Sequence, residues 1–555
     1  MAIETEQNLK EKSDYLIVSD FHLVDIEDNN DDWKKYKSSK YLIDNDFNLL
    51  VDYFINQGKG SKLTLILNGD IFDFDLVTII PDNPPWKVTR REKKYGLYST
   101  EEKSVWKLEQ ILKDHAVFLK TLAEFLDKGN KIIYLLGNHD REFHFKKVQK
   151  LLSDQIKKLQ KNPQTNKNFK FEEWFYYEPG KLYVEHGQQY DYYSTFKYLL
   201  CPTVKCKEGE VIAIPMGNLS NRFLMTNMGF FNPHASDFIL NVFKYIYHWL
   251  KHYAFSRRSL MFNWLWGSIL TMFKLSKYKR KMKKYPPNCQ EKLNVLSNKF
   301  NIPNNLMNKL SEEEKRPITD RTFRIIREFW LDRVFLLIIF ITTTITLALV
   351  PIPLWIKLVV PLAILPLVYL LYEEAVQGLN IFTIENELPQ HAKKIAEILG
   401  VKLVVFGHTH KPKLLPVDNG LTFVDTGNWA PIYDIKGNKY SGYNNYLIAS
   451  FFSGNYNYNL GSWDINNIRL IPALSESDIN IFNNYINSTV EDSNNIKLLA
   501  MLGNIPIGGV LLHKENESEY KIKNLFLKKE NLIKKSRLTE LTMQYCSNHE
   551  ITIIK

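Results

Sequence analysis

Residues 131–140 read KIIYLLGNHD, and the reading of this stretch decides the fold. The apolar run is short enough for a buried β-strand, and Gly137 opens a tight turn after it. Asn138, His139 and Asp140 then present an amide, an imidazole and a carboxylate in succession. A strand end of this kind sets polar side chains on a rigid rim, where chemistry is usually done. Taken alone, the same residues also fit an Asx-type turn in which Asn138 and Asp140 bond their own backbone.

Two upstream runs end in the same way. Tyr15–Ser19 (YLIVS) leads into Asp20, Phe21 and His22, and Leu63–Asn68 (LTLILN) leads into Gly69, Asp70, Ile71, Phe72 and Asp73. Continuous apolar strands suit a sheet covered on both faces. Helix-like sequence separates them, up to about Gly58 and again over Glu101–Asp127. The order is β-α-β-α-β with a polar cluster at each strand's carboxyl end, where open α/β sheets place ligands. After a helix around Phe145–Gln160, two strand-like runs, Phe169–Tyr177 and Lys181–Glu185, deliver His186 and Gly187. The pattern stops near Tyr192. It resumes with a helix at Pro389–Leu399 and a strand at Lys402–Phe406, followed by Gly407, His408, Thr409 and His410. Thr422–Asp425 and Asn445–Phe452 read as further strands. The spacing therefore predicts one catalytic domain in two parts, 1–191 and 389–473, split by an insertion over 192–388.

Composition agrees with a globular chain of several parts: 555 residues, 45% hydrophobic and 24% charged. The net charge of +11 is uneven, with seven Lys or Arg inside Lys274–Lys284 (KLSKYKRKMKK). Such a patch fits a local anionic partner better than a general nucleic-acid coat. The opening MAIETEQNLKEKSDY lacks the apolar core of a signal peptide. Four cysteines are too few and too scattered for a disulfide framework, and Cys201 and Cys206 read as free thiols of a reducing compartment.

Collected, the strand-end residues are Asp20, His22, Asp70, Asn138, His139, His186, His408 and His410. Carboxylate, imidazole and amide oxygen are the donors that suit manganese, iron or zinc. An i, i+2 pair on extended backbone points both side chains one way, as in Asp20/His22 and His408/His410. Two metals about 3.5–4 Å apart are an established device for attacking phosphate esters.

In order, SDFHL, NGDIFD, GNHD, EHG and FGHTH resemble the motifs of the calcineurin-like metallophosphoesterase superfamily. The resemblance covers roughly Asp14–His186 and Pro389–Phe452. It implies a four-layer α/β/β/α sandwich and two divalent metals, manganese first and iron or zinc as alternatives. One metal would be held by Asp20, His22, Asp70 and His410, and the other by Asp70, Asn138, His186 and His408. A hydroxide between them would attack phosphorus in line. His139 would stabilise the transition state or protonate the leaving oxygen, with Asp73 and Asp140 as further catalytic candidates that orient neighbours. Arg141, Lys411 and Asn428 are the candidate substrate contacts. The spacing of NGDIFDF, GNHDREF, EHGQQYD and GHTHKP is similar to the UDP-2,3-diacylglucosamine pyrophosphatase-like branch, which carries Arg where this chain has His139. That departure leaves the substrate open.

Within the insertion, residues 334–356 carry no charge, and after Lys357 a second uncharged run reaches Tyr372. Each half is close to the ~20 residues that span a bilayer core. Because His186 and His408 must meet in one site, the number of crossings is even, which predicts a transmembrane hairpin over about 334–372. Arg321, Arg324, Arg327, Arg333 and the Lys274–Lys284 run precede it, which puts the catalytic domain on the cytoplasmic side of the membrane. Phe238–Phe255 and Ser259–Phe273, rich in aromatics and flanked by Lys and Arg, read as helices lying in the interface beside anionic lipid headgroups. Over 474–555 the order β-β-β-α-β resembles a degenerate acetyltransferase-like module, a small α+β accessory without the Gly-rich loop that would cradle coenzyme A. The expectation is a membrane-bound dimetal phosphoesterase acting on a phosphodiester or pyrophosphate, lipid-linked by preference. A tethered phosphatase or phosphodiesterase of soluble nucleotides or phosphoproteins, and a scaffold with a structural metal site, stand as alternatives.

Overall fold

A computed structural model describes residues 13–28, 34–57, 62–224, 226, 247, 250, 260–284, 287–376, 384–431, 444–452, 455–463, 468–486, 495–502, 505–516, 519–527, 535–548 and 551–554. Its strands, in chain order, are β1 (Ser13–Val18), β2 (Leu63–Asn68), β3 (Lys131–Leu135), β4 (Phe169–Glu172), β5 (Phe175–Glu178), β6 (Leu182–Glu185), β7 (Thr203–Cys206), β8 (Gly209–Ile212), β9 (Leu403–Phe406), β10 (Lys413–Pro416), β11 (Thr422–Asp425), β12 (Asn445–Phe452) and β13 (Asn455–Ser462), followed by the tail strands β14 (Ile468–Pro472), β15 (Asn495–Leu502), β16 (Ile505–Lys514), β17 (Glu519–Leu527) and β18 (Thr552–Ile554). The fold is mixed α/β.

Two sheets carry the site. The first has the order β13-β12-β1-β2-β3-β4, and the second β10-β11-β9-β6-β5. Strands β1 to β4 run parallel to one another, as do β6, β9 and β11, and antiparallel strands flank both sets. Alternation explains why they sit where they do. Ile17, Ile66, Ile133 and Leu135 of the first sheet share a buried cluster with Leu182, Val184, Leu403, Val405 and Val424 of the second. The intervening residues Leu16, Val18, Leu65, Leu67 and Ile132 turn the other way, into the cluster that contains Phe47, Leu50, Phe118, Leu122 and Phe125 of the helices Asp44–Gln57 and Ala116–Asp127. Both faces of the central strands are dry, which is why their sequence reads as continuous apolar runs.

Some boundaries differ from the sequence reading. The run Phe169–Tyr177 is two strands, and the chain leaves the first sheet after Glu172 to enter the second at Phe175. The helical stretch Glu101–Asp127 breaks at His115, whose ring bonds Asp44 Oδ2 (2.9 Å) and the Val24 carbonyl (3.0 Å). The insertion is not helical throughout. It opens with the β7–β8 hairpin, which Ile212 N ties to Ser99 O. Ile468–Pro472, expected in the catalytic domain, pairs instead with Asn495–Leu502, so the tail sheet β14-β15-β16-β17-β18 starts before residue 474.

Two helices, Leu331–Leu349 and Leu354–Ala375, are long and apolar enough to cross a membrane, and neither is buried against the rest of the chain. The second contains a π-helical turn at Val360–Ile364, where Pro361 removes a backbone donor and Pro366 follows closely. Ser259–Phe273 falls largely in the helix Leu260–Lys284, which also takes in the basic run. Phe238–Phe255 lies outside the described residues, apart from Tyr247 and Leu250.

Candidate metal centre

The carboxyl ends of β1, β2, β3, β6 and β9 converge, and each releases a loop whose first residues are polar. The loops after β1 and β2 run side by side: Asp20 N donates to Gly69 O (3.1 Å), His22 N to Asp70 O (2.9 Å) and Leu23 N to Ile71 O (2.9 Å). This pairing turns the backbone out of the strand. Asp20, His22, Asp70, His408 and His410 all adopt positive φ, between 48° and 74°. A non-glycine residue there costs of order 1 kcal/mol or more and persists only where surroundings enforce it. Two glycines are steric requirements of the same crossing. A Cβ on Gly137 would run into the Asp70 carboxylate, and one on Gly69 would reach the His186 ring at 2.6 Å.

Three groups of donor atoms result, each within 4.8 Å of one another and each able to hold a metal ion: Asp20/His22/His410, Asp70/His186/His408 and His22/Asp73/His139. His410 Nε2 lies 3.3 Å from Asp20 Oδ1 and 3.2 Å from His22 Nε2. Asp70 Oδ2 stands between the first two groups, 3.9 Å from His22 Nε2 and 3.1 Å from His186 Nε2. Two imidazole nitrogens facing each other at 3.2 Å share one proton at best, and a cation between them relieves the clash of lone pairs. The residues also fit a metal by what they leave undone. Asn138 Oδ1 is buried without a hydrogen bond, and Asp20 Oδ1 and His186 Nε2 face only other donors of the cluster. A buried acceptor without a partner is costly, and a divalent ion satisfies oxygen and imidazole donors at once.

Charge balance points the same way. Burial opposes the charge on His186, yet the Asp70 and Asp20 carboxylates outweigh it and lift its pKa to about 10. Burial likewise disfavours a charged His139, but Asp73, Asp70 and Asp75 hold its pKa well above the usual histidine range. Protons thus supply the positive charge that these carboxylates demand. Asp73 is central: its Oδ2 lies 3.1 Å from both His22 Nδ1 and His139 Nδ1, while its Oδ1 accepts from Asp75 N (3.0 Å) and Leu76 N (3.1 Å). His186 Nδ1 is held at 2.8 Å from Asn68 O, which leaves Nε2 facing Asp70. These are the carboxylate and carbonyl contacts that fix ligating histidines.

Six of the seven expected metal donors, Asp20, His22, Asp70, His186, His408 and His410, fall in these groups, and Asn138 Oδ1 is buried without a hydrogen bond. Asp140 is buried and holds the turn together, accepting from Gly137 N (2.7 Å), Ile71 N (2.9 Å) and the Tyr134 hydroxyl (2.6 Å). Two of the expected substrate contacts are corrected. Arg141 is fully buried: its guanidinium donates to the carbonyls of Glu173 (2.6 Å) and Leu199 and lies over Phe196. Asn428 closes its own turn, with Oδ1 accepting from Ala430 N (2.9 Å) and Nδ2 donating to Ala430 O (3.2 Å). That turn seats Trp429 N and Ala430 N on Asp20 O. Lys411 is exposed at the rim and pairs with Glu385.

Sequence reasoning missed three residues. Asp191 Oδ2 lies 3.1 Å from His408 Nε2; Asp75 Oδ2 lies 3.6 Å from His139 Nδ1. Asn218, on the helix Met216–Phe223 of the insertion, donates to Asp75 Oδ2 (2.7 Å) and to the carbonyl of Asn138 (3.1 Å). Asp191 closes EHGQQYD and Asp75 directly follows NGDIFDF, which was the available signal; Asn218 had none.

No curated protein matches the chain. Residues 14–201 match the family model of the calcineurin-like phosphoesterases, a span that holds every motif from Asp20 to His186. With its donors convergent on one site, the segment 14–201 is similar to the calcineurin-like phosphoesterases, a family of metal-dependent hydrolases of phosphoesters.

Proposed function

We infer that the chain is a dimetal phosphoesterase tethered to the membrane, hydrolysing a phosphodiester or pyrophosphate of a lipid-linked substrate at the cytoplasmic face. The observation that carries the two-metal reading is Asp70, whose carboxylate lies between two donor groups. Asp20, His22, Asp70 and His410 would hold one ion, and Asp70, Asn138, His186 and His408 the other, manganese being the first choice. Bound there, the ions supply Lewis-acid charge for the phosphoryl oxygens and an activated water.

The chain's own residues do the rest. Asp73 fixes the ring planes of His22 and His139 together, so the general acid keeps a set position relative to the donor cluster. His139, 3.1 Å from Asp73 and 3.6 Å from Asp75, would give its proton to the leaving oxygen. His139 N donates to Asp70 Oδ1 (2.7 Å) and Asp191 orients His408, so both sides of the cluster are braced. The domain is read as a four-layer α/β/β/α sandwich made by 1–191 and the segment after 389, with an accessory module from Ile468 onward.

Support for the tether comes from the apolar pair Leu331–Leu349 and Leu354–Ala375, none of it buried. An unburied apolar surface of that extent is unstable in water. Arg333 clasps Glu373 in two contacts of 2.8 Å, so the pair enters and leaves on one side, as a hairpin must. Leu265, Trp266, Ile269 and Phe273 of the helix Leu260–Lys284 are also exposed, which suits an interfacial helix beside anionic headgroups.

Full-length protein in detergent with manganese is expected to hydrolyse bis-p-nitrophenyl phosphate, and Asp70→Ala to abolish turnover. Retained activity in Asp70→Ala refutes the site. Faster turnover of lipid pyrophosphates than of nucleotides in mixed micelles supports the lipid reading, and the reverse order refutes it.

A further inference from the structure

One turn beyond Asn218, the helix Met216–Phe223 carries Arg222, which is only 2% exposed and points away from the metal donors toward Tyr98. Its guanidinium lies 5.1 Å from the Tyr98 ring, and the Lys274 ammonium, 6% exposed, lies 3.8 Å from the same ring. One terminal nitrogen of Arg222 donates to Gly96 O, but its Nε is buried without a hydrogen bond. Among the described residues neither cation has a carboxylate partner. The acids nearby are already engaged: Glu92 pairs with Lys103 and accepts from Thr89 N, and Glu208 sits 3.8 Å from Lys277. Residues 227–259, which join the two helices, contain a single acid, Asp237.

Two buried like charges against one ring repel, and Glu208, the carboxylate whose charge reaches Lys274, itself lies 3.8 Å from Lys277. Burial, Arg222 and Lys277 together bring the Lys274 pKa down to about 8. The Tyr98 ring attracts both cations but offers no full counter-charge. Tyr98 and Lys274 are 7% and 6% exposed, so the two cations lie just beneath the surface.

The geometry points to a second anion site, formed by Arg222, Lys274 and Tyr98, that binds a phosphate-type oxyanion apart from the metal centre. Two sources offer that chemistry: free phosphate groups of a soluble molecule, and the headgroup phosphate of an anionic lipid. Phe273, the exposed neighbour of Lys274 on its helix, lies 5.8 Å from the Arg91 guanidinium and would sit at the membrane surface in the lipid case. The site itself does not rest on the lipid reading of the activity; only the lipid source does.

The test is lysine acylation of the full-length protein followed by peptide mass spectrometry. Metals are first removed with EDTA, so that phosphate has no metal centre to bind. Labelling of Lys274 is compared in chloride, in inorganic phosphate at equal ionic strength, and with phosphatidylcholine vesicles with and without phosphatidylglycerol. Pairing with an anion raises an ammonium pKa by roughly one unit, so the occupied site is expected to acylate about tenfold more slowly. Protection by phosphate assigns a soluble group, and protection by phosphatidylglycerol vesicles alone assigns a lipid headgroup. Both are expected to vanish in Arg222→Gln. Equal labelling in chloride, phosphate and both vesicles overturns the proposal, as does protection that persists in Arg222→Gln. If that variant fails to fold, the comparison of phosphate with chloride on the wild-type protein decides by itself.

Discussion

Asp73 is the residue whose loss separates a working site from a mere cluster of donors. Its Oδ2 is shared at 3.1 Å by His22 Nδ1 and His139 Nδ1, and its own pKa is held far below the ordinary carboxylate range: burial opposes the charge, but His139 and His22 more than offset it. Asp73→Asn keeps the shape and removes the charge. His139 then loses its largest favourable partner, the contact that keeps it protonated. A positioned general acid is worth about 10²–10⁴-fold, so kcat on an alkyl phosphodiester is expected to fall by about 10²–10³ at saturating manganese. His22 loses its orienting contact as well, and removal of such a partner typically weakens metal binding by about 10–100-fold. The loss should be smaller for bis-p-nitrophenyl phosphate, whose phenolate leaves without a proton. The assay is steady-state turnover of both esters against manganese concentration, in wild type, Asp73→Asn, His139→Gln and the double variant. If the two residues act as a unit, the double variant is no worse than His139→Gln in kcat. Full multiplicative losses, or Asp73→Asn within about threefold of wild type on the alkyl ester, refute the coupling.

Other predictions follow from the same contacts. Gly137→Ala, whose Cβ would collide with Asp70, is expected to lose most turnover while the far-ultraviolet circular dichroism stays unchanged. Asp191→Asn frees His408 Nε2 and is expected to raise the manganese requirement about tenfold with kcat restored at saturation. Burial opposes the charge on His115, but Asp44 outweighs it and raises its pKa above 6.5. The stabilisation this gives is full below 6.5 and is lost as pH rises through the raised value. His115→Gln is therefore expected to lower the thermal midpoint more at about pH 5.5 than at about pH 9, with a cost near 1–3 kcal/mol at the acidic end; equal losses at both pH values would contradict it. Replacing residues 331–376 by a short Gly/Ser linker is expected to move the protein from the membrane to the soluble fraction with turnover of bis-p-nitrophenyl phosphate retained.

The strands were legible because burial on both faces leaves no room for polar residues: Leu63–Asn68, Thr422–Asp425 and Asn445–Phe452 carry the expected ends. Donors were legible because each motif sits at a strand end. Direction was not. Arg141 follows the GNHD turn closely enough to suggest a phosphate contact, yet the 3-10 turn Arg141–His144 carries it under Phe196 and onto two carbonyls. Asn428 reads as a candidate substrate contact, whereas the turn consumes both ends of its side chain. Phe169–Tyr177 reads as one strand because aromatic residues run through both segments, and only the bend at Glu173–Trp174 tells that it serves two sheets. Asn218 reaches the site across the split between the domain and its insertion, a juxtaposition that local sequence does not encode.

The central claim is that Asp70 bridges two metal ions, and manganese-loaded protein tests it most directly by metal content combined with electron paramagnetic resonance. The account predicts two ions per chain with the signal of a spin-coupled pair, and loss of that coupling in Asp70→Asn. A single ion per chain, or a coupled pair that survives Asp70→Asn, would contradict it.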